Sequence, residues 1–167
     1  MEDAMKKLTI PVRQKRAVTV FLFAAGGITA IAMASPPINF SGTALAVAKL
    51  VKNADVSSDR IVFQTNNPTD TAIVRLDFAA GGDSGWHHHP GMVVNQVGEG
   101  TVRVYVSSCA YKTYGVGAPA GSTFVEGRSV HKVTSAAGAI IYSTAVVVKQ
   151  SPPVFRVEDQ VPFCDAK

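Results

Sequence analysis

The chain has 167 residues, of which 47% are hydrophobic and 17% are charged. This composition supports a buried core and argues against long disordered segments. The formal net charge is +4, but most of the excess lies in residues 1–34, and the remaining residues carry 11 basic against 10 acidic side chains. No basic stripe is left to follow a phosphate backbone, so we expect no nucleic-acid partner.

The first 34 residues have the pattern of a secretory signal peptide. Basic residues end at Arg16, an uncharged stretch runs from Ala17 to Ala34, and Ala32-Met33-Ala34 forms a cleavage pattern before Ser35. An uncharged stretch of this length could also span a bilayer as a retained anchor. We expect an exported protein, periplasmic or extracellular, with its mature N-terminus at Ser35. A membrane tether is the alternative.

The rest of the chain predicts short strands, because apolar stretches alternate with glycine and proline. Residues 35–42 are predicted as a linker, and Thr43–Lys52 fits either a strand or a short helix. Strands are predicted at Arg60–Thr65, Thr71–Ala79, Trp86–Val97, Thr101–Ser107, Tyr111–Tyr114, Ser122–Glu126, Val130–Val133, Ala139–Lys149 and Val154–Val157. Residues 81–85 are predicted as a loop, and Gly98-Glu99-Gly100 as a turn. This spacing favours a β-sandwich or barrel.

The two cysteines, Cys109 and Cys164, both follow the signal-peptide pattern. An even number of cysteines in an oxidising compartment permits a disulfide. Closing a loop of this length would stabilise the fold by about 4 kcal/mol in the chain-entropy model. Two free thiols or thiolate metal ligands are the alternatives, although neither cysteine belongs to a CxxC pair. We predict a disulfide that ties the C-terminal tail to the barrel.

The four histidines are the strongest functional signal. His87, His88 and His89 are consecutive, and His131 follows on a later strand. Alternate residues of a strand share a face, so His87 and His89 should point one way and His88 the other. Two imidazoles with a third from another strand make a three-nitrogen site that suits Zn, Cu, Fe or Ni. A surface patch or hydrogen-bonded core histidines are the alternatives.

These segments resemble the two motifs of the cupin family. Residues 85–91 (GWHHHPG) and 98–101 (GEGT) resemble the first motif, and residues 121–126 (GSTFVE) with His131 resemble the second. The chain is most similar to small exported bacterial cupins with a Trp-His-x-His-Pro-Gly signature. The resemblance implies an all-β fold with a single jelly-roll barrel over residues 60–150. Residues 35–59 would then form a linker and N-terminal arm, and residues 151–167 a C-terminal tail.

The same resemblance implies a divalent metal ion (Zn, Fe, Mn, Ni or Cu) held by His87, His89 and His131, and a homodimer is a common state in the family. The sequence departs from the family at one ligand. The usual glutamate, four or five residues after the second histidine, is replaced by Val93 or Val94. We therefore expect a three-His site that binds metal less tightly, and we expect Val93→Glu to tighten it.

The second motif departs from the family as well. Glu126 stands where the family has a proline. It could replace the lost carboxylate, but a glutamate at a strand end is usually solvated, and we expect that here.

Two functions remain open from the sequence. One is a metal-dependent enzyme, such as an oxygenase or isomerase, that acts on a small organic molecule in the barrel. The alternative is a non-catalytic module that binds a small molecule without metal. A structural cupin without a ligand is a third, weaker option. No catalytic residue is assigned, because the sequence has neither a GxSxG nucleophile motif nor a glycine-rich phosphate loop.

Overall fold

The structure is a computed structural model that describes residues 35–66, 68–163 and 165. Its regular elements in this part of the chain are the strands β1 (Ile38–Leu50), β2 (Asp55–Ser58), β3 (Ile61–Gln64), β4 (Thr69–Asp83), β5 (His87–His88), β6 (Met92–Val106), β7 (Tyr111–Gly115), β8 (Thr123–Glu126), β9 (His131–Ser135), β10 (Ala139–Val148) and β11 (Val157–Glu158). The predicted all-β class is confirmed. The predicted signal peptide and Cys164 lie outside the described residues.

Four antiparallel pairings close the main sheet into a barrel. β4 pairs antiparallel with β10, β10 with β6, β6 with β9, and β9 pairs back with β4. β1 lies on the other side of β4, while β7 and β8 pair with β6. β5 and β11 extend the sheet beyond β9. The ring removes the free edges of its four strands, and the predicted single β-barrel is confirmed.

The barrel interior follows from strand alternation. In β10, alternate residues from Ala139 to Val147 are buried and the residues between them are more exposed. Two of them, Ala139 and Ile141, pack in one core cluster with Phe78, Val102 and Phe124 from three other strands. Because successive side chains of a strand point to opposite faces, one apolar face per strand is enough to fill the barrel. Ser143 is a polar member of this inner face.

The N-terminal segment differs from the predicted linker and arm. β1 begins at Ile38 and pairs along β4 as far as Leu50 opposite Thr69. Thr43–Lys52 is therefore mostly strand, because hydrogen bonds to β4 outweigh the helical preference of its alanines. No strand was predicted at β2, whose residues are all exposed and, apart from Val56, polar; among the described strands it pairs with β3 alone.

Two glycine-rich segments lie within strands rather than in the predicted turn and loop. β6 runs through Gly98-Glu99-Gly100, and its register with β10 shifts between Val97 and Glu99. This is a β-bulge, and a Cβ on Gly98 would lie 3.1 Å from the ring of Tyr142. β4 likewise continues through residues 81–83. Glycine serves turns and bulges equally, so composition did not separate them.

The predicted strand from Trp86 to Val97 is interrupted, and the tail strand is shifted. β5 ends at His88 and β6 begins at Met92, so His89 lies in the break between them. The tail strand β11 covers Val157–Glu158 rather than residues 154–157. Among the described residues, no helix is long and apolar enough to cross a membrane.

Candidate metal centre

Three histidine rings meet at one end of the barrel. His87 in β5 lies directly opposite His131 in β9, and their ring centroids are 4.3 Å apart. His89, just after β5, has its ring centroid 5.0 Å from that of His87 and 5.1 Å from that of His131. His87 and His131 are buried. The structure therefore brings together the three histidines that the sequence analysis selected.

Each of the three rings is oriented by a backbone carbonyl that contacts its Nδ1 atom. Nδ1 of His87 contacts the carbonyl oxygen of Gly85 at 2.9 Å. Nδ1 of His89 and of His131 contact the carbonyl oxygens of Phe155 and Ser129, each at 2.7 Å. A carbonyl oxygen can only accept, so each Nδ1 carries the proton and donates it. Nε2 of each ring is therefore the nitrogen left for the centre of the cluster, as in metal-ligating histidines.

Glu126 supplies a carboxylate to the same point, which corrects the expectation that this residue is solvated. Its side chain is only 7% exposed. One carboxylate oxygen lies 3.2 Å from Nε2 of His131 and the other lies 3.5 Å from Nε2 of His89. Glu126 is opposite Val93 in the register of β8 with β6. The carboxylate thus comes from the strand next to the position where the cupin motif would place it.

The four side chains have the composition and spacing of a metal site. One ligand atom from each of His87, His89, Glu126 and His131 lies within 4.8 Å of the other three. Oε1 of Glu126 and Nε2 of His131 are buried without a hydrogen-bond partner, although they are in contact. Buried polar atoms are rarely left unpaired. Three imidazole lone pairs and a carboxylate fit a divalent cation, which would satisfy all of them together.

The electrostatics of the cluster also favour a cation. Burial, together with His131 and the positive charge of Arg156, lowers the pKa of His87 to about 2. Burial alone would raise the pKa of Glu126, but its contacts with His131 and His89 outweigh burial and lower the pKa to about 2. Burial opposes protonation of His131, yet Glu126 raises the pKa of His131 above its ordinary value. At neutral pH, His87 is thus a neutral imidazole that can donate an electron pair to a metal ion, and Glu126 is an anion.

A buried hydrogen-bond chain holds the carboxylate in place. Asn95 in β6 donates from Nδ2 to Oε2 of Glu126 at 2.8 Å. Ser143 in β10 in turn donates to Oδ1 of Asn95. Asn95 and Ser143 are almost completely buried. The sequence analysis did not select either residue, and the only sequence signal was a polar residue on an inward-facing strand position.

Asn95→Leu should therefore weaken metal binding without removing a ligand. Leucine is close in size but cannot donate to Glu126, so the carboxylate loses its orientation. We expect metal affinity to fall by roughly 10–100-fold, the usual cost of losing an outer-shell partner. Isothermal titration with Zn²⁺ measures this, and Gln96→Leu on the opposite face of β6 is the matched control. Unchanged affinity in Asn95→Leu would contradict the orienting role.

His88 is separated from this cluster, as strand alternation requires. Its Nδ1 lies 2.7 Å from Oδ2 of Asp159 in the C-terminal tail. The neighbouring Trp86 is fully buried and donates from Nε1 to Asp165 at 2.8 Å. These residues fasten the tail to the barrel next to the site. His88 thus has a role in packing, and the cluster is completed by Glu126 instead.

The motif glycines allow the backbone to approach closely beside the histidines. Gly85 has a φ of 72°, and a Cβ there would lie 2.0 Å from the carbonyl oxygen of Ser35. A Cβ on Gly91 would lie 2.1 Å from the carbonyl oxygen of Val146. Only glycine fits these two positions without moving the backbone. The residues that bracket the histidines in sequence therefore fix where β5 and the break after it can lie.

The cluster opens into a cavity of about 520 Å³ inside the barrel. Its lining is mostly apolar and includes aromatic side chains such as Phe40, Phe78 and Phe124. His87, His89 and Glu126 line one part of it, together with Arg156 and Glu158. Small-molecule sites usually combine an apolar cavity of this size with a few polar groups. The arrangement can therefore hold a small organic molecule beside a metal ion.

The chain is similar to solved protein structures, but no match was found in the two sequence comparisons. No family model matches the chain, and no curated protein matches it in sequence. An RmlC-like cupin from Shewanella frigidimarina NCIMB 400 is 19% identical over 52% of this chain and 80% of that one, with a TM-score of 0.41. A cupin superfamily protein from Desulfitobacterium hafniense DCB-2 is 12% identical over 62% and 79%, with a TM-score of 0.40.

Oxalate oxidases are also similar to the chain, over about half of its length. An oxalate oxidase in complex with the substrate analogue glycolate is 22% identical over 50% of this chain and 51% of that one, with a TM-score of 0.36. The chain spans about half the length of the oxalate oxidases that it matches. All of these TM-scores are below 0.5, so the likenesses decide nothing about ligands or activity.

Proposed function

We propose that this cupin-type barrel binds one divalent metal ion through His87, His89, His131 and Glu126, and a small organic molecule in the adjoining cavity. The observation that carries the proposal is the convergence of one nitrogen from each of three imidazoles and a carboxylate oxygen within 4.8 Å of one another. Nδ1 of each ring contacts a backbone carbonyl oxygen, so Nε2 is the ring nitrogen that can bind a metal ion. A cation at this point would satisfy Oε1 of Glu126 and Nε2 of His131, which are buried without a hydrogen-bond partner.

The donor set narrows the metal without selecting a single one. Imidazole suits Zn, Cu, Fe and Ni, and a carboxylate also suits Mn. When bound, such an ion would supply a Lewis acid, or for Fe, Mn or Cu also a redox centre. The residues of the chain would hold the ion, orient its ligands through Asn95 and the backbone carbonyls, and limit water around it. A metal-dependent oxygenase or isomerase is the enzymatic form of this proposal.

Metal titration tests the proposal directly. Purified protein, stripped with a chelator, would be titrated with Zn²⁺, Ni²⁺, Mn²⁺, Fe²⁺ and Cu²⁺ and analysed for bound metal. We expect one ion per chain for at least one of these metals. A chain that takes up none would refute metal binding, and the barrel would then be a metal-free binding module. The cavity supports that alternative independently of the cluster, because its lining is mostly apolar.

We further propose that the protein is exported and carries a disulfide between Cys109 and Cys164. The support is the leader pattern of residues 1–34 and the even number of cysteines after it. Secreted protein should have the intact mass of residues 35–167 with the two thiols joined. Full-length membrane-bound protein would instead favour the retained anchor, and two titratable thiols in oxidised protein would contradict the disulfide.

A homodimer also belongs to the proposal. Among the described strands β1 pairs with β4 alone, which leaves its other edge open within this part of the chain, and Leu45 and Val47 on it are each 55% exposed. Exposed apolar edge strands commonly pair with another chain. Light scattering in solution gives the oligomeric state.

A further inference from the structure

One cationic side chain among the described residues that line the cavity is not explained by the metal site. Arg156 lies in the tail just before β11 and lines the cavity together with His87. Residues before and after Arg156 in the sequence fix its position. The carbonyl oxygen of Phe155 accepts from His89, and Glu158 is paired with His87 in the register of β11 with β5. The same contacts that orient the histidines therefore place a guanidinium group at the cavity.

The guanidinium group already shows how it would hold a carboxylate. Nε of Arg156 donates to one oxygen of Glu158 at 2.6 Å, and Nη2 donates to the other at 2.9 Å. Nη2 also donates to the carbonyl oxygen of Ser84. This two-point arrangement is the preferred geometry for recognition of a carboxylate by arginine. The side chain of Glu158 is 44% exposed, so it can turn towards solvent when another carboxylate replaces it.

The charges around the cavity favour an anionic ligand. The acidic and basic side chains that line it are Glu126, Arg156 and Glu158, whose formal charges sum to one negative charge. A divalent metal ion at the proposed site would turn this into one positive charge. A cavity with mostly apolar walls and an excess positive charge is best neutralised by a monoanion.

From this geometry we infer that the cavity binds a small monocarboxylic acid with an apolar body. Its carboxylate would contact Arg156 in place of Glu158, and its body would lie against the apolar wall that includes Phe40 and Phe124. The inference rests on the proposed function for the position of the metal charge. The guanidinium contact itself belongs to the chain and does not require the metal.

Phenylacetate and its uncharged isostere phenylacetamide test the inference. Their dissociation constants would be measured by NMR titration with zinc-loaded and with chelator-treated protein. We expect phenylacetate to bind about tenfold more tightly than phenylacetamide to the zinc-loaded protein. Arg156→Gln should reduce that preference by about tenfold while the number of zinc ions bound stays the same. Glu158→Gln should instead strengthen phenylacetate binding several-fold, because the competing carboxylate is gone.

A matched control separates recognition from simple loss of an ion pair. Arg75 and Asp77 form a similar pair two residues apart on β4, and neither lines the cavity. Arg75→Gln should leave both ligands unaffected. Equal binding of the two ligands, no binding of either, or weaker phenylacetate binding in Glu158→Gln would overturn the inference.

The same experiment distinguishes a failure of the proposed metal site from a failure of the inference about Arg156. Protein that takes up no zinc would refute the proposed metal site, but the chelator-treated samples would still report on Arg156. In that case a preference for phenylacetate that is lost in Arg156→Gln supports the inference, and its absence refutes it.

Discussion

Replacing Glu126 with valine should reduce metal affinity by more than about 100-fold, since loss of an outer-shell partner alone costs roughly 10–100-fold. The physical reason is that Glu126 supplies the one anionic group among the four converging side chains. Isothermal titration with Zn²⁺ measures the loss. Glu126→Gln keeps the size and can still accept from Asn95, so it isolates the contribution of the charge, and we expect most of the loss in this variant too.

A second substitution should restore the site from the neighbouring strand. Val93 is the cross-strand partner of Glu126 and also lines the cavity. Side chains at such paired positions lie on the same face, with their Cβ atoms about 5 Å apart. The double variant Val93→Glu, Glu126→Val should therefore return metal affinity to within about tenfold of the original protein, since a glutamate spans this separation.

The structure changes what Val93→Glu should do alone. From the sequence, this substitution was expected to tighten metal binding by restoring a missing carboxylate. The site already contains one, so a second would place two buried carboxylates together and give no such gain. Tighter binding in Val93→Glu, with no loss in Glu126→Val, would show that Glu126 is not a ligand. Thermal unfolding of each variant confirms that it is folded.

Alanine substitution should distinguish the three histidines that bind the metal from His88, which does not. His87→Ala, His89→Ala and His131→Ala should each weaken Zn²⁺ binding by more than about 100-fold, again because even outer-shell losses cost roughly 10–100-fold. His88→Ala should leave affinity nearly unchanged, since His88 contacts Asp159 and not the cluster. Equal losses in all four variants would instead indicate an adventitious surface cluster.

The pH dependence of metal binding follows from the groups in the site. The pKa of His87 is lowered to about 2, as is that of Glu126, so neither takes up a proton near neutral pH. The pKa of His131 is raised above 6.5, so a proton there competes with the metal. At pH values below the pKa of His131, metal affinity should therefore rise by about tenfold per pH unit. The rise should end once His131 has lost its proton.

The folding stability of the metal-free protein should fall as pH rises, whereas metal affinity increases. Because the pKa of His131 is raised in the folded state, its contribution to stability is fully present below pH 6.5. That contribution is lost as pH rises through the folded-state pKa. Above about pH 7.5, about one unit above the ordinary pKa of histidine, the buried His87 is neutral in both the folded and the unfolded chain. Thermal unfolding from about pH 7.5 to 9 should therefore show stability falling with pH without metal and a growing stabilisation by added Zn²⁺. Parallel curves with and without metal would contradict this linkage.

The three histidines could be found from sequence because strand alternation and family resemblance agreed. His87 and His89 are two residues apart and the resemblance supplied His131, so no long-range contact had to be derived. The same alternation placed His88 away from the site. The barrel was predictable for a similar reason, since each strand carries its own apolar face.

Glu126 could not be assigned in the same way, because its role depends on strand register. Its carboxylate reaches the site only because β8 pairs with β6 so that Glu126 faces Val93. Sequence alone shows a lost glutamate and, separately, an acidic residue at a strand end. Arg156 was missed for the same reason, since the pairing of β11 with β5 brings the tail to the cavity.

The most direct test of the metal site is the position of the ion itself. A crystal of zinc-loaded protein, with anomalous data collected on both sides of the zinc absorption edge, would locate it. The account predicts one strong peak about 2.0–2.2 Å from Nε2 of His87, His89 and His131 and from a carboxylate oxygen of Glu126, the usual zinc–ligand distances. A peak at His88 or on the surface, or no peak within the cluster, would contradict it.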